Sequence, residues 1–340
     1  MYSFANDYSE GAHPKILEAM LKSNLEQNPG YGLDSHCERA KALIKKEIGQ
    51  NDVEIHFIPG GTQTNLLAIS SILRPHQCVV TVDTGHINVH ETGAIEATGH
   101  KVVTVPNEEG KLKPEQIIKV LNYHKDEHMV QPKLVYISDT TELGTVYTKE
   151  ELSAISKVCR QHNLYLFLDG ARLSSALASD KNDLELKDIA SLVDLFYIGG
   201  TKNGALLGEA LVLCNDTIKE DFRYLIKTRG AMMAKGFLMG IQFETLFEDG
   251  LYYELGEHAN QMARQIIKAF QKKKIVFYQP PCSNQLFPIL TESEKQKLES
   301  SFIFQVEQEF PNGTYAVRFV TSWATTLESV QQLVRAIETL

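Results

Sequence analysis

KLVYISDTTELGTVYTKEELSAISKVCRQHNLYLFLDGAR, residues 133–172, is the stretch that sets the architecture. Two short apolar runs, KLVYIS (133–138) and LYLFLD (164–169), enclose TKEELSAISKVCRQH, which has a helical pattern. Strands that are apolar along nearly their whole length are covered on both faces. Such strands alternating with helices predict a mostly parallel sheet. The alternation runs outward in both directions. Upstream stand VEIHFI (53–58), CVVTV (78–82) and KVVTV (101–105), with TQTNLLAISSIL as a helix after the first. Downstream stand DLFYIG (194–199) and EALVLC (209–214). The expected fold class is α/β: a large domain whose mostly parallel sheet is flanked by helices. After residue 214 the pattern turns mainly helical to about residue 272. KIVFYQ, NQLFPIL, FIFQVE and TYAVRFV then predict a small sheet, and LESVQQLVRAIETL a closing amphipathic helix. The expected division is a large domain, 1–250, and a smaller α+β C-terminal domain, 251–340. The N-terminal segment is expected to pack on the smaller one.

Composition narrows the function classes. A chain of 340 residues can build one large core and a smaller lobe. Its formal net charge of -9 argues against nonspecific binding to nucleic acid or an anionic membrane. Lys272, Lys273 and Lys274 read as a solvated helix end. Cys37, Cys78, Cys159, Cys214 and Cys282 share no CxxC or zinc-type spacing, so neither a disulfide framework nor a structural zinc site is expected. MYSFANDYSEGAHP lacks a basic start followed by an apolar stretch, and no apolar run is long enough to span a bilayer. The expected setting is cytoplasmic and reducing.

Ligands in open parallel sheets bind beyond the carboxyl ends of the strands, so the residues just after each strand are the candidates. After VEIHFIP come Gly60, Gly61 and Thr62, then a helix. Glycines admit close approach, and a helix start offers free N–H groups to a phosphate. Thr62 read as a simple N-cap is the alternative. After CVVTVDTG comes His86, which could stack on a ligand or move a proton, or be an ordinary loop histidine. His86, His90 and Glu91 raise a metal site, but no third ligand of suitable spacing supports one. Asp169 and Arg172 follow LYLFL. An acid there caps a helix, pairs with the arginine, or holds a proton on a ring nitrogen. After DLFYIG stands Lys202, flanked by small residues in GGTKNGALLG. A desolvated lysine is a nucleophile able to form an imine; a surface lysine is the plain alternative. A phosphate cradle, a stacking histidine, an acid for a pyridine nitrogen and an imine-forming lysine are together the handle for pyridoxal phosphate.

IPGGTQTN, TGHINVHETGA, LFLDGAR, IGGTKNGALLGEA and VRFVTSW, with the opening NDYSEGAHP, give the chain a resemblance to the low-specificity L-threonine aldolases over nearly its whole length. That resemblance implies an aspartate-aminotransferase-type fold and pyridoxal 5'-phosphate as cofactor. It implies that Lys202 carries the cofactor, that Asp169 pairs with its pyridine nitrogen and that Arg172 contacts its phenolic oxygen. His86 would stack on the ring, Gly61 and Thr62 would meet the phosphate, and Arg318 would clamp the substrate carboxylate. Arg318 alone would read as an edge-strand arginine. Where family members often carry a serine for that carboxylate, this chain has Asn6. Where many carry a second histidine, it reads ISDTTELG, so the general base stays open among His86, a phosphate oxygen and a water. Tyr31, in NPGYGLD, would enter a neighbouring subunit's site, which makes a homo-oligomer, a dimer or tetramer, part of the expectation. The implied reaction is cleavage of L-threonine or L-allo-threonine to glycine and acetaldehyde. Another pyridoxal phosphate lyase or racemase acting on a small hydroxy amino acid, or a silent cofactor-binding paralogue, are the alternatives.

Overall fold

The computed structural model describes Met1–Leu340. A seven-stranded sheet forms its centre, in the order Glu54–Ile58, Glu209–Leu213, Leu195–Gly199, Tyr165–Asp169, Gln131–Ser138, Gln77–Val82, Lys101–Val105. The pairs from Leu195–Gly199 through to Lys101–Val105 are all parallel. Only Glu209–Leu213 runs against its neighbours, on both sides. The mostly parallel sheet read from the sequence is therefore present. Parallel pairing needs a crossover of a dozen or more residues; the connection 200–208 is shorter and holds no helix, so the chain turns straight back.

The continuous apolar strands reflect burial on both faces. Successive strand residues point to opposite sides. Val135, Ile137, Leu166, Leu168, Phe196 and Ile198 enter one core of 41 buried residues. Leu134, Tyr136, Phe167, Leu195 and Tyr197 enter a second core of 19 on the other face. The helix Lys149–Gln161 covers the first face, entered through a capping box in which Thr148 accepts from Glu151 N–H and the Glu151 carboxylate accepts from Thr148 N–H.

A third core of 15 buried residues lies at the C-terminal end and includes Phe4. The strand Thr314–Val320 is central there, with Gln305–Glu309 on one side and Ile289–Thr291 and Gln285–Leu286 on the other. Tyr2–Ser3 pairs in parallel with Phe302–Ile303. The helix Leu251–Lys272 joins the lobes: Tyr252 and Leu255 pack in the first core, Ile266 and Phe270 in the third. Two expected strands differ. KIVFYQ forms only a bridge from Phe277 to Pro288, and NQLFPIL splits at Pro288, which has no N–H to give a ladder. No helix is long and apolar enough to cross a membrane.

The helix Phe237–Glu248 crosses Ser35–Ile48 at Gly240, where an added Cβ would stand 2.5 Å from the Cys37 amide nitrogen. Gly240→Ala forces these backbones apart and is expected to cost about 1–3 kcal/mol. Urea unfolding of the variant would show a lower midpoint; an unchanged midpoint would refute the close-packing account.

Candidate functional site

The strand ends open into one cleft of about 940 Å³. Gly61, Thr62, His86, Asp169, Arg172 and Lys202, read from the strand ends, all line it, and so does Arg318, named through the resemblance. Asn6 and Tyr31 do not line it. The Asn6 carboxamide oxygen accepts from Tyr8 N–H and the Ser9 hydroxyl, closing a local turn. Tyr31 is 45% exposed on a loop outside the cleft, with Lys227 over its ring.

The helix Gly61–Ile72 starts with Gly60 as its N-cap, and no side chain caps it. Thr62 is thus inside the helix, and the N-cap reading of Thr62 is corrected. The first-turn N–H groups keep the unmet donor capacity that suits an anion. Arg318 lies on the central strand of its sheet, not at an edge, because strands pair with it on both sides. Its Nη2 donates to Ala5 O at 3.3 Å and to Gln305, while its buried Nε has no partner.

Asp169 closes the Tyr165–Asp169 strand and is 4% exposed. Its Oδ1 accepts from Ala171 N–H at 3.0 Å; its Oδ2 accepts from Asn65 Nδ2 at 3.0 Å and from the Tyr136 hydroxyl. Burial opposes ionisation, but His86 and the hydrogen bonds of Tyr136, Tyr197 and Ala171 outweigh it and hold the carboxyl below its ordinary value. Asn65 also donates to Glu91 Oε1 at 2.7 Å, and that oxygen meets His86 Nδ1 at 2.9 Å. Glu91 is committed to this chain of bonds, and no group of His, Cys, Asp or Glu side chains is arranged to hold a metal ion. Nδ1 is thereby occupied and the imidazole held by a carboxylate.

Lys202 follows the Leu195–Gly199 strand and is half-buried. Burial and then Arg172 push its amine below the ordinary lysine value, against the pull of Asp7, Asp169 and Glu209. Arg172 forms a two-point pair with Asp7, 2.7 and 3.1 Å long. Glu209 stands directly across from Gly199 and accepts Gly200 N–H at 2.8 Å. Asp7, Tyr8, Asn65, Glu142 and Glu209 were not selected from the sequence, and Glu91 was considered only as a metal ligand. Glu209 had a signal, as a carboxyl at the head of an apolar strand. Glu142, in ISDTTELG, accepts His86 N–H at 2.8 Å and the Ser138 hydroxyl at 2.7 Å, and lines the cleft.

A buried, ionised carboxylate with only neutral donors in contact leaves room for one cationic donor. The protonated nitrogen of a pyridine ring satisfies that demand, an adjacent amine can bind the ring's aldehyde, and the uncapped helix start suits its phosphate. The residues therefore fit pyridoxal phosphate.

Residues 4–293 match the model of the beta-eliminating lyase family. The chain is 32% identical to the low-specificity L-threonine aldolase of Pseudomonas aeruginosa, covering 98% of this chain and 96% of that one. The chain belongs to the beta-eliminating lyases, among the threonine aldolases. A solved threonine aldolase from Leishmania major superposes with a TM-score of 0.98 at 52% identity, covering 100% of this chain and 99% of that one. An aspartate aminotransferase of Thermus thermophilus shares the fold, with a TM-score of 0.74 at 15% identity over 98% of this chain and 90% of that one. These relatives bear out the resemblance and the fold class, and the chain is a pyridoxal-phosphate-dependent lyase.

Burial raises the Glu209 carboxyl to about 7, against the Thr201 and Gly200 hydrogen bonds that lower it. A carboxyl raised on folding stabilises the fold fully below its unfolded value, and that stability is lost as pH rises through the folded value. Cofactor-free protein should therefore lose stability from about pH 4.5 to 7, by at most about 3 kcal/mol. Glu209→Gln should flatten that part of the profile, followed by denaturant melts at each pH; a parallel profile would contradict the assignment.

Proposed function

We propose that the chain cleaves the Cα–Cβ bond of L-threonine or L-allo-threonine, giving glycine and acetaldehyde. The observation that carries this is the half-buried amine of Lys202 sharing one cleft with the buried, ionised Asp169. Pyridoxal phosphate, when bound, supplies the electron sink for the pair left on Cα. Lys202 would hold it through its amine, beside the place the substrate amino group would take. Asp169 keeps a proton on the ring nitrogen, where a low-dielectric setting makes the pairing strong. Gly61 and Thr62 would hold the phosphate, and Arg172 the ring oxygen.

Arg318 receives the substrate carboxylate, a task suited to a planar two-point donor. Its unpartnered Nε supports that assignment, since a buried donor without an acceptor is costly. Fixing the carboxylate would fix the orientation of the bonds at Cα, and hence which of them breaks. His86 would stack on the ring and, with Nδ1 held by Glu91, would offer Nε2 for the β-hydroxyl proton. On the division at residue 250, Arg318 comes from the smaller domain and the cofactor groups from the larger. Tyr31, exposed on its loop, is assigned to the cleft of a neighbouring copy, and Asn6 to the substrate side of the N-terminal segment. A homo-oligomer in the cytoplasm completes the reading.

The purified protein is expected to show visible absorbance from bound cofactor and to release acetaldehyde and glycine from L-threonine. Lys202→Ala should abolish the band and the aldehyde together; an unchanged spectrum would sink the assignment. Pyruvate or an inverted amino acid from L-threonine, L-allo-threonine or L-serine would favour elimination or racemisation instead. Asp169→Asn should lower kcat about a hundredfold or more, the size typical of removing one electrostatic stabiliser of the transition state, while cofactor affinity, measured by equilibrium titration, falls much less.

A further inference from the structure

Asp7 belongs to the N-terminal segment, yet its side chain is only 1% exposed and sits in the site. The chain reaches it by a fixed route. Phe4 N–H donates to Ile303 O at 2.7 Å, and Val320 N–H donates to Phe4 O at 2.8 Å, which locks the segment to the smaller lobe. Ala5 O accepts Arg318 Nη2. Two residues on, Asp7 Oδ2 accepts Arg172 Nε at 2.7 Å and Asn284 Nδ2 at 2.9 Å, and its Oδ1 accepts Arg172 Nη2 at 3.1 Å. Tyr8 then places its ring 5.9 Å from Lys202 Nζ.

This geometry uses two of the three guanidinium nitrogens of Arg172. Both N–H groups of Nη1 and the second N–H of Nη2 are left for a ligand, and their directions are fixed because a two-point pair admits one orientation of the planar group. We infer that Asp7 is a positioning residue: it fixes the plane in which Arg172 offers its free N–H groups to the cleft and balances the arginine's charge beside Lys202. The inference rests on the reading of Lys202 and Arg172 as cofactor-binding groups. It goes beyond that reading by making the N-terminal segment part of the catalytic apparatus.

The charged and titratable groups that act on Lys202 are Arg172, Asp7, Asp169, Glu209 and His90, with the Tyr8 ring beside it. Arg172 disfavours a positive charge on Lys202, and Asp7 favours one. Neutralising Asp7 removes the balance and leaves Arg172 acting alone. A proton on the nitrogen of Lys202 should then be held less tightly.

The test compares holoenzyme of wild type, Asp7→Asn and Asp7→Glu, each titrated by its visible absorption band from pH 5 to 10. Asp7→Asn is expected to move the midpoint of the band down by about one unit, the size expected for loss of a nearby opposite charge. It should also lower kcat more than it changes KM. Asp7→Glu keeps the charge but displaces Arg172, so its midpoint should stay near that of wild type while kcat falls severalfold. A folded Asp7→Asn protein with an unmoved midpoint overturns the inference. So does an Asp7→Glu protein with both midpoint and kcat of wild type, a result that decides the matter even where Asp7→Asn does not fold. A wild-type protein with no visible band overturns the cofactor reading itself, and this inference with it.

Discussion

Asp169 ends a strand inside the protein, where taking a carboxylate out of water costs several kcal/mol. The cost is met by donors, and the demand for them organises the site. Ala171 N–H comes from the turn that follows the strand, Tyr136 from the neighbouring strand, and Asn65 from the helix packed over the second face. Each of these donors requires its element to sit in register with Tyr165–Asp169. Ser138 lies beside Asp169 across the parallel ladder, so the two strands end together and their loops face one cleft.

The network then passes outward in a definite order. Asn65 joins Asp169 to Glu91, and Glu91 joins His86. Glu142 holds the same turn from the other side by accepting His86 N–H. The imidazole is thus oriented from both its ring and its backbone. A histidine on an unsupported loop would sample many rotamers; this one is fixed by two acids, the buried Glu91 and the half-buried Glu142. Orientation of that kind supports the proposed double role of the ring, stacking and handling a proton.

The sequence made the strand ends legible because each carried a local sign: glycines before a helix, an acid or a lysine closing an apolar run. Lys202, Asp169 and Thr62 were visible for that reason. Asn65 was not, since an asparagine one turn into a helix looks like any polar surface residue until the helix is docked. Asp7 was hidden for a different reason. It lies 165 positions from Arg172, and no periodicity links a terminal segment to a strand-end arginine. Arg318 emerged only through resemblance, because its strand reads like any other alternating strand. The failed strand KIVFYQ shows the reverse problem: its residues favour a strand, but it meets its neighbour only in the bridge from Phe277 to Pro288, flanked by the bonds Tyr278 N–H to Phe287 O and Ile289 N–H to Val276 O.

The single antiparallel strand explains the remaining acid. The connection 200–208 has to accommodate Lys202 and return at once, with Gly208 at φ +108 admitting a backbone that other residues rarely adopt. That immediate return sets Glu209 across from Gly199, where its carboxylate accepts the Gly200 N–H and lies within electrostatic reach of Lys202. A longer helical crossover would have made the strand parallel and carried its first residue to the far edge of the sheet. The acid beside the lysine is therefore a consequence of loop length. Changing that connection would change the charge around the nucleophile before it changed the stability of the sheet.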